Sequence, residues 1–506
     1  MFENQPKGLF ALALANTGER FGYYTMLAIF VLFLQANFGW GEGLAGTVYS
    51  TFLMLVYFLP ILGGAMADKI GFGRCVTFGI LVMFIGYLLL AVPAGNGTAA
   101  IVMMAVALLL ISVGTSLFKG NLQVMVGKLY DDPRYAEQRD NGYSIFYMAI
   151  NIGALFAPAT AVALHRWAMN TFHATAASAY HYAFGVACVS LLVSIAIYYG
   201  FRWTFASVDN TARPTEGTQA ETVKAEAHEE TAEEKADTHS RLVALFLVFA
   251  VVIFFWMSFH QNGLTLTYFA RDFTQKSASG WQAMLFDVTN LVAIIFIVYA
   301  LFGLFQSKTG KGHLISALVI LVSAGFLMVR YTHSPASVSI EAPIFQQFNP
   351  SFVVMLTPVS MGLFGWLASK HKEPSAPRKI GYGMLVAGIA YTIMIVASIG
   401  LSYNLNDAQR VSPMWLVCTY LVLTFAELLL SPMGISFVSK VAPQKYQGLM
   451  MGCWFGATAI GNFLVQIPAY LWKAVPLTMV WGVLVCLCLA SFIFIFSVMK
   501  KLEKVC

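Results

Sequence analysis

Charged side chains are scarce in this sequence. Only 11% of its 506 residues are Asp, Glu, Lys or Arg, while 58% are hydrophobic and the mean hydropathy is +0.71. No class of soluble globular protein combines these values. Apolar runs long enough to cross ~30 Å of hydrocarbon recur along the whole chain, at about twenty helical residues each. The sequence therefore predicts an all-α polytopic membrane protein whose surroundings are lipid.

Paired cysteines and catalytic motifs are also missing. The seven cysteines fall within apolar segments or at predicted cytoplasmic ends, where disulfides rarely form. The chain has no H-E-x-x-H zinc pair, no nucleophile elbow and no repeated pore-filter sequence, and TGKG at 309–312 lacks the full spacing of a phosphate-binding loop. These absences argue against a membrane enzyme or a channel. We expect no metal and no organic cofactor.

The basic residues alternate between loops. They occupy every second connection, near 69–74, 128–139, 308–311, 370–379, 440–445 and 500–504. The loops near 36–45, 94–99 and 403–412 have almost none. By the positive-inside rule, the basic loops and both termini are cytoplasmic, which predicts a multi-pass protein of the cell (inner) membrane. The net charge of +6 is thus explained by orientation, and we expect no nucleic-acid partner.

Apolar runs between polar breaks predict about fourteen membrane-spanning helices. Six precede residue 202, and eight follow residue 239. The segment 202–239 between them is rich in glutamate and predicts a solvated acidic linker. The predicted domains are therefore an N-terminal six-helix bundle at 1–201, a cytoplasmic linker at 202–239 and a C-terminal bundle at 240–506. The spans lie near 9–35, 46–68, 74–93, 98–128, 143–166, 178–201, 240–272, 281–306, 312–331, 345–371, 380–402, 413–440, 446–472 and 475–499.

Two six-helix halves around a polar linker are the layout of the major facilitator superfamily, in which the substrate site lies between the halves. The segment GAMADKIGFGR at 64–74 resembles that superfamily's loop between helices two and three. In it, Gly71 and Gly73 permit a tight turn, and Asp68 can cap a helix or pair with Arg74. The resemblance implies a major facilitator fold with two additional helices near 281–331.

Few ionisable residues lie deep inside the predicted spans. An ionised group at the bilayer centre costs ~2.5–3.5 kcal/mol, so each one needs a partner or a function. They are Glu19, Arg20, Lys119, His260 and Glu427, with Asp287 less deep.

Polar neighbours of these residues repeat at helical spacing. A stripe that lies on one helix face indicates a polar cavity inside a bundle rather than contact with lipid. Four such stripes are Asn16, Glu19, Arg20 and Tyr23; Thr115, Lys119 and Gln123; Thr424, Glu427 and Ser431; and Trp454, Thr458 and Asn462.

Structural interpretations compete with a functional one. Glu19, Arg20 and Lys119 could form only an interhelical ion cluster that holds the first half together. His260 could be a packed neutral imidazole. Glu427 has no Lys or Arg deep within the other predicted spans of its half, which makes a purely structural pairing harder to build.

Eight ordered motifs resemble the proton-dependent oligopeptide transporters (POT/PTR family). NTGERFGYY at 16–24 is similar to that family's helix-one motif. The other matches follow in the family's order and spacing across both halves. They are LVYFLPILGGAMAD at 55–68, GTSLFKGNLQVMVGKLY at 114–130, FYMAINIGALFAP at 146–158, FFWMSFHQNG at 254–263, FQQFNPSFVVMLTPV at 345–359, AELLLSPMGIS at 426–436 and MGCWFGATAIGN at 451–462.

The resemblance implies roles for individual residues. Glu19, Arg20 and Lys119 would form the proton-sensitive cluster, and Lys119 would also face the peptide carboxylate. Glu427 would hold the peptide amine, with Ser431 on the same stripe. The remaining pocket residues would be Tyr23, Tyr24, Tyr57, Asn151, Asn349 and Trp454.

Four positions depart from the family pattern. Asn16 replaces a glutamate, Leu27 an arginine and Gly120 a proline, and His260 stands where many members have an acidic residue. We expect His260 and Glu19 to share proton binding, since an imidazole with an ordinary pKa of ~6.5 titrates where a modest pH gradient acts. The additional helix pair also lies within the second half rather than in the central linker.

These inferences predict a proton-coupled symporter, not an enzyme, that imports di- and tripeptides by alternating access and acts as a monomer. A peptide has fixed opposite charges at its ends, so a cation in one half and a carboxylate in the other can bind its backbone whatever its side chains. Two alternatives remain open on the same scaffold: transport of another small solute such as nitrate, and a peptide sensor that does not transport.

Overall fold

The computed structural model describes residues 5–209, 232–307, 309–404, 406, 409–443 and 446–505. Most of the predicted acidic linker, Lys308, Lys445 and Cys506 therefore lie outside the described residues. The side chain of Asp68 lies outside them too, and with it the predicted pairing to Arg74.

Seven helices form the first half. They are α1 (Lys7–Phe38), α2 (Glu42–Phe58), α3 (Pro60–Ile70), α4 (Phe72–Ala91), α5 (Thr98–Lys128), α6 (Arg139–Phe172) and α7 (Ala176–Gly200), with 3-10 turns at Ala136–Gln138 and Arg202–Thr204. The sequence predicts one helix over 46–68, but the structure divides it into α2 and α3 at Pro60, because proline lacks the N–H of a helical hydrogen bond. Gly71 ends α3 at φ 94°, a backbone conformation that favours glycine.

Twelve described helices form the second half. They are α8 (Ala232–Phe259), α9 (Thr265–Asp272), α10 (Gly280–Met284), α11 (Val288–Gln306), α12 (Gly310–Thr332), α13 (Phe348–Ser369), α14 (Ala376–Ala397), α15 (Met414–Val441), α16 (Gln447–Leu464), α17 (Gln466–Leu471), α18 (Leu477–Ser497) and α19 (Met499–Glu503). The 3-10 turn His260–Gly263 interrupts the span Ala236–Asp272, and the 3-10 turn Ala342–Gln347 begins the span Ala342–Ser369. Two short strands, β1 (Ser277–Ala278) and β2 (Val338–Ser339), pair antiparallel with Ser277 opposite Ser339.

Fourteen segments of the described chain are long and apolar enough to cross a membrane, which confirms the predicted number of spans. Some boundaries differ. The helix predicted from residue 240 begins at Ala232, inside the predicted linker, because a helix can continue past the membrane where apolar periodicity stops. The helix predicted over 143–166 extends over Arg139–Phe172.

Glycines let neighbouring helices approach closely in both halves. A Cβ on Gly79 of α4 would lie 2.7 Å from the carbonyl oxygen of Gly114 in α5, and one on Gly63 of α3 would lie 2.2 Å from that of Ser116. Because lipid tails are as apolar as the side chains, membrane helices associate mainly through such close packing. The core of each half is thus built from small residues between large apolar ones.

The first and last described residues, Gln5 and Val505, lie at one end of the bundle, here called the terminal end, and the opposite end is called the capped end. At the capped end Glu42 pairs with Lys473 at 2.7 Å and with Arg271 at 3.3 Å. Arg166 of α6 pairs with Glu341. All three ion pairs join the first half to the second, so the halves are held together at the capped end.

The additional helices α11 and α12 lie at the periphery, where the sequence predicts them. The Tyr299 hydroxyl of α11 donates to the Val354 carbonyl of α13 at 3.2 Å. Ser323 is the one buried residue of α12. Asp287 caps α11 by accepting from the Thr289 backbone N–H at 2.8 Å, and it also pairs with Arg330. Its role is therefore local to the helix pair.

Candidate substrate site

The polar stripe of α1 carries a buried ion pair. The Arg20 guanidinium donates to the Glu19 carboxylate, with Nη2 to Oε1 at 2.6 Å, and lies 4.6 Å from the centroid of the Tyr23 ring. All three side chains are more than nine-tenths buried. Because the two opposite charges are in contact, the Glu19–Arg20 pair has almost no net charge.

Lys119 lies beside this pair but has no carboxylate of its own. Its ammonium is 4.4 Å from the centroid of the Tyr57 ring, a cation–π contact, and Arg20 and Glu19 are its electrostatic neighbours. Among the described residues, no carboxylate lies within ion-pairing distance of Lys119. The first half therefore presents a net positive charge at this depth.

Glu427 of α15 supplies the opposite charge from the second half. Its Oε2 accepts from the Asn349 amide at 3.0 Å, and its Oε1 accepts from the Tyr147 hydroxyl at 3.5 Å, the long limit of a hydrogen bond. Asn349 also donates to the Thr424 hydroxyl at 3.0 Å, which fixes its orientation. Within the described residues, no Lys or Arg pairs with this carboxylate.

Tyrosines of the first half connect the two charged groups. Tyr24 has Arg20, Glu19 and Glu427 as electrostatic neighbours. Tyr147 belongs to α6, so its contact with Glu427 crosses between the halves. The cationic and the anionic groups consequently face each other across the interface of the two halves.

His260 lies at the same interface, in the 3-10 turn that follows α8. Its Nδ1 is 2.9 Å from Oδ1 of Asn462, and its ring stacks on Trp256 at a centroid distance of 5.2 Å. The Tyr57 ring is 6.0 Å away, and Lys119 is its charged neighbour. The imidazole thus has Lys119 as its charged neighbour. The expected sharing of proton binding between His260 and Glu19 stays a prediction.

Of three further predicted residues, Trp454 and Asn151 have local partners in this conformation and Ser431 does not. Trp454 is 3% exposed and packs its ring against Gly434 and Phe249, so it does not line open space. The Asn151 amide donates to the Tyr147 carbonyl at 3.0 Å within α6. The Ser431 hydroxyl is buried without a hydrogen-bond partner among the described residues, one helical turn from Glu427.

Three residues that contact the site, Tyr147, Trp256 and Asn462, have no role predicted from the sequence. Tyr147 precedes Asn151 by four residues, and Trp256 precedes His260 by four, so helical spacing places each on the face of a predicted site residue. Asn462 belongs to a predicted polar stripe but received no role. The described residues contain no group of three or more His, Cys, Asp or Glu that could hold a metal ion.

Comparison with known protein families matches residues 74–211 and 326–481 to the POT family. The chain belongs to the POT family. Three relatives match along nearly its full length. A peptide transporter of Yersinia enterocolitica is 29% identical over 91% of this chain and 87% of its own. A di-/tripeptide transporter of Lactococcus lactis is 28% identical over 94% of this chain and 91% of the relative. An uncharacterised transporter of Bacillus subtilis is 29% identical over 95% and 91%.

Solved structures agree with the fold of this POT-family chain. A crystal structure of a peptide transporter POT in complex with sulfate superposes with a TM-score of 0.75 at 24% identity, covering 100% of this chain and 96% of the other. A POT-family transporter in complex with 5-aminolevulinic acid superposes with a TM-score of 0.74 at 19% identity. The superposition covers 100% of this chain and 98% of the other. The predicted major facilitator fold is confirmed.

Proposed function

We propose that this POT-family protein is a proton-coupled symporter that imports di- and tripeptides by alternating access. One observation carries the proposal: Lys119 in the first half has no carboxylate partner, and Glu427 in the second half has no cationic partner, among the described residues. Unpaired opposite charges inside a membrane protein are costly, so they need a ligand that satisfies both. A peptide zwitterion carries the two matching charges.

The peptide binds with its carboxylate toward Lys119 and its amine toward Glu427. Asn349 and Tyr147 hold the carboxylate of Glu427 in place without neutralising it. An extended dipeptide spans about 7 Å, at ~3.3–3.6 Å per residue, so the separation of the two charges selects for length. The proposed pocket side chains are Tyr23, Tyr24, Tyr57, Asn151, Asn349, Ser431 and Trp454, of which Trp454 lines no open space in this conformation. The names of the relatives from Yersinia and Lactococcus support this substrate class.

A proton supplies the driving force. A zwitterion has no net charge and gains nothing directly from the membrane potential, whereas each proton contributes ~2.3 kcal/mol per 100 mV. The coupling residues are Glu19, Arg20, Lys119 and His260. A proton on His260 places a second positive charge beside Lys119, and the repulsion favours movement of the Lys119 ammonium toward Glu19. Protonation and substrate binding thereby act on the same ammonium.

The protein works as a monomer in the inner membrane, with its terminal end in the cytoplasm. The acidic linker between the bundles 1–201 and 240–506 then also lies in the cytoplasm. The capped end faces outward, and its ion pairs close the outer path in this conformation. Uptake requires these ion pairs to break so that the substrate can reach Lys119 and Glu427 from outside.

Exchange of labelled dialanine by purified protein in liposomes tests the substrate class. Unlabelled di- and tripeptides should compete, while nitrate and free alanine should not. If nitrate competes as strongly as unlabelled dialanine does, the substrate is a small anion and not a peptide. Saturable dialanine binding without any exchange would identify a sensor instead of a carrier.

A further inference from the structure

A cavity of about 520 Å³ lies at the capped end, away from Lys119 and Glu427. Helices α1, α6 and α7 of the first half form one side of it. On the other side are α9, Lys276 beside β1, and the segment 340–343 that follows β2. The volume is within the ~300–1,000 Å³ of small-molecule sites. Its polar side chains are Gln35, His165, Tyr180, Arg271, Lys276 and Glu341.

Glu341, which lines this cavity, pairs with Arg166 of α6 and so joins the two halves at the cavity's edge. Arg166 Nη2 also reaches the Ser339 hydroxyl at 3.3 Å. The Arg166 and Glu341 side chains keep 41% and 31% of their surface exposed, so a solute in the surrounding water can reach both. A surface pair of this kind is worth only ~0–1 kcal/mol, which a charged ligand can replace.

Two further groups of the cavity have unused binding capacity. The Lys276 ammonium is exposed and makes no ion pair with any described residue. The His165 ring stacks on Tyr180 at 4.3 Å, and its Nε2 lies 2.9 Å from the Ala176 carbonyl. Since a carbonyl only accepts, Nε2 carries a hydrogen, and Nδ1 is buried without a hydrogen-bond partner in the described chain.

We propose that this cavity is a capture site for a zwitterionic di- or tripeptide at the outer face. The peptide carboxylate binds Lys276 and competes with Glu341 for Arg166, while the peptide amine competes with Arg166 for Glu341. Occupancy thereby loosens the ion pair that ties α6 to the segment following β2. The inference rests on the proposed function for its choice of ligand and its orientation, but it concerns a separate site.

Protection of an engineered thiol tests the capture site. Ala36 is exposed and lines the cavity, and Gly41 is exposed at the same end outside it, with no atom within 4 Å of an added Cβ. Ala36→Cys and Gly41→Cys are each made with Cys418 and Cys486 replaced by serine. An impermeant thiol reagent is added at the outer face. Dialanine should slow labelling at position 36 and leave position 41 unchanged, and N-acetyl-dialanine amide, which has neither charge, should protect neither.

Charge variants separate binding at the cavity from events at the central site. Lys276→Gln removes one charge-assisted hydrogen bond to the peptide, so the dialanine concentration that gives half-protection should rise about tenfold. Lys473 lies at the capped end outside the cavity, so Lys473→Gln should leave that concentration unchanged. The double variant Arg166→Glu with Glu341→Arg swaps the two charges. Dialanine should still protect position 36 in it, since both charges remain.

The Glu427→Gln variant distinguishes this inference from the proposed function. Protection at position 36 should persist in that variant, because the cavity does not include Glu427. Protection that vanishes there would overturn the capture site, because position 36 would then report a movement caused by central binding. Protection without any dialanine exchange in the parent protein would contradict the transport function and leave the capture site standing.

Discussion

At position 427, the carboxylate is held by the Asn349 amide and the Tyr147 hydroxyl rather than by a cation. Both groups orient it and leave its negative charge available to a ligand. The residue itself could be predicted from the sequence, because an isolated carboxylate in an apolar span needs a function. Its contact with Tyr147 could not, since the two residues are separated by 280 positions and helical spacing describes one helix at a time.

Glu427→Gln should weaken dialanine binding at the central site about tenfold or more, because a neutral amide cannot replace a charge-assisted contact with the amine. Competition for labelled dialanine exchange measures the loss. N-acetylated peptides should compete poorly with the wild type. If acetylated and free peptides compete equally, the amine does not bind Glu427. Thermal unfolding of the variant serves as the control for folding.

His260→Gln tests the proton-coupling role. Glutamine can still bond to Asn462 but cannot gain a proton, so peptide exchange should stay measurable while acceleration by an inward proton gradient disappears. A packed neutral histidine predicts the opposite pattern, a loss of thermal stability with normal coupling. If the variant concentrates dialanine as the wild type does, Glu19 must bind the proton alone.

Among the elements, apolar length predicts the number of spans but not their interruptions. The break between α2 and α3 at Pro60 and the 3-10 turn at His260 both lie inside predicted helices. Hydropathy averages over a window, so a local change of hydrogen bonding does not alter it. Hydropathy also predicts the start of α8 at residue 240 instead of Ala232. It reports contact with lipid, whereas the helical backbone continues into the polar segment.

Two adjacent glycines of α3 should respond differently to alanine. A Cβ at Gly63 meets the Ser116 carbonyl oxygen at 2.2 Å, whereas one at Gly64 has no atom within 4 Å. Gly63→Ala should therefore lower the free energy of unfolding by ~1–3 kcal/mol, the usual cost of overpacking. Gly64→Ala should be neutral or stabilising by up to about 1 kcal/mol, since alanine favours helix. Thermal unfolding in detergent measures both; equal effects would show that α3 does not pack on α5 as described.

The connection between α11 and α12 should be cytoplasmic. A cysteine at Ser307 should resist an impermeant thiol reagent added outside, and it should react once the membrane is permeabilised. Gly41→Cys, at the capped end, is the positive control. Expressed in intact cells, it should react with the reagent added outside. Ready labelling of position 307 from outside would overturn the fourteen-span orientation.

For the whole molecule, ion pairs and hydrogen bonds between the halves join them at the capped end, while the unpaired charges lie deeper, on the facing sides of the halves. Fourteen spans and the two-half layout follow from apolar length and loop charge, which act along the whole chain. Which end is closed depends on pairs such as Glu42 with Lys473, separated by 431 positions. No periodicity in the sequence encodes that pairing.

Uphill accumulation of dialanine in proteoliposomes tests the central claim most directly. With an inward proton gradient, the wild-type protein should concentrate labelled dialanine above the external level, and collapse of the gradient by a protonophore should release the excess. Glu427→Gln should accumulate none under the same gradient. Equilibration of dialanine to the external level regardless of the gradient, or no entry at all, would contradict proton-coupled peptide import.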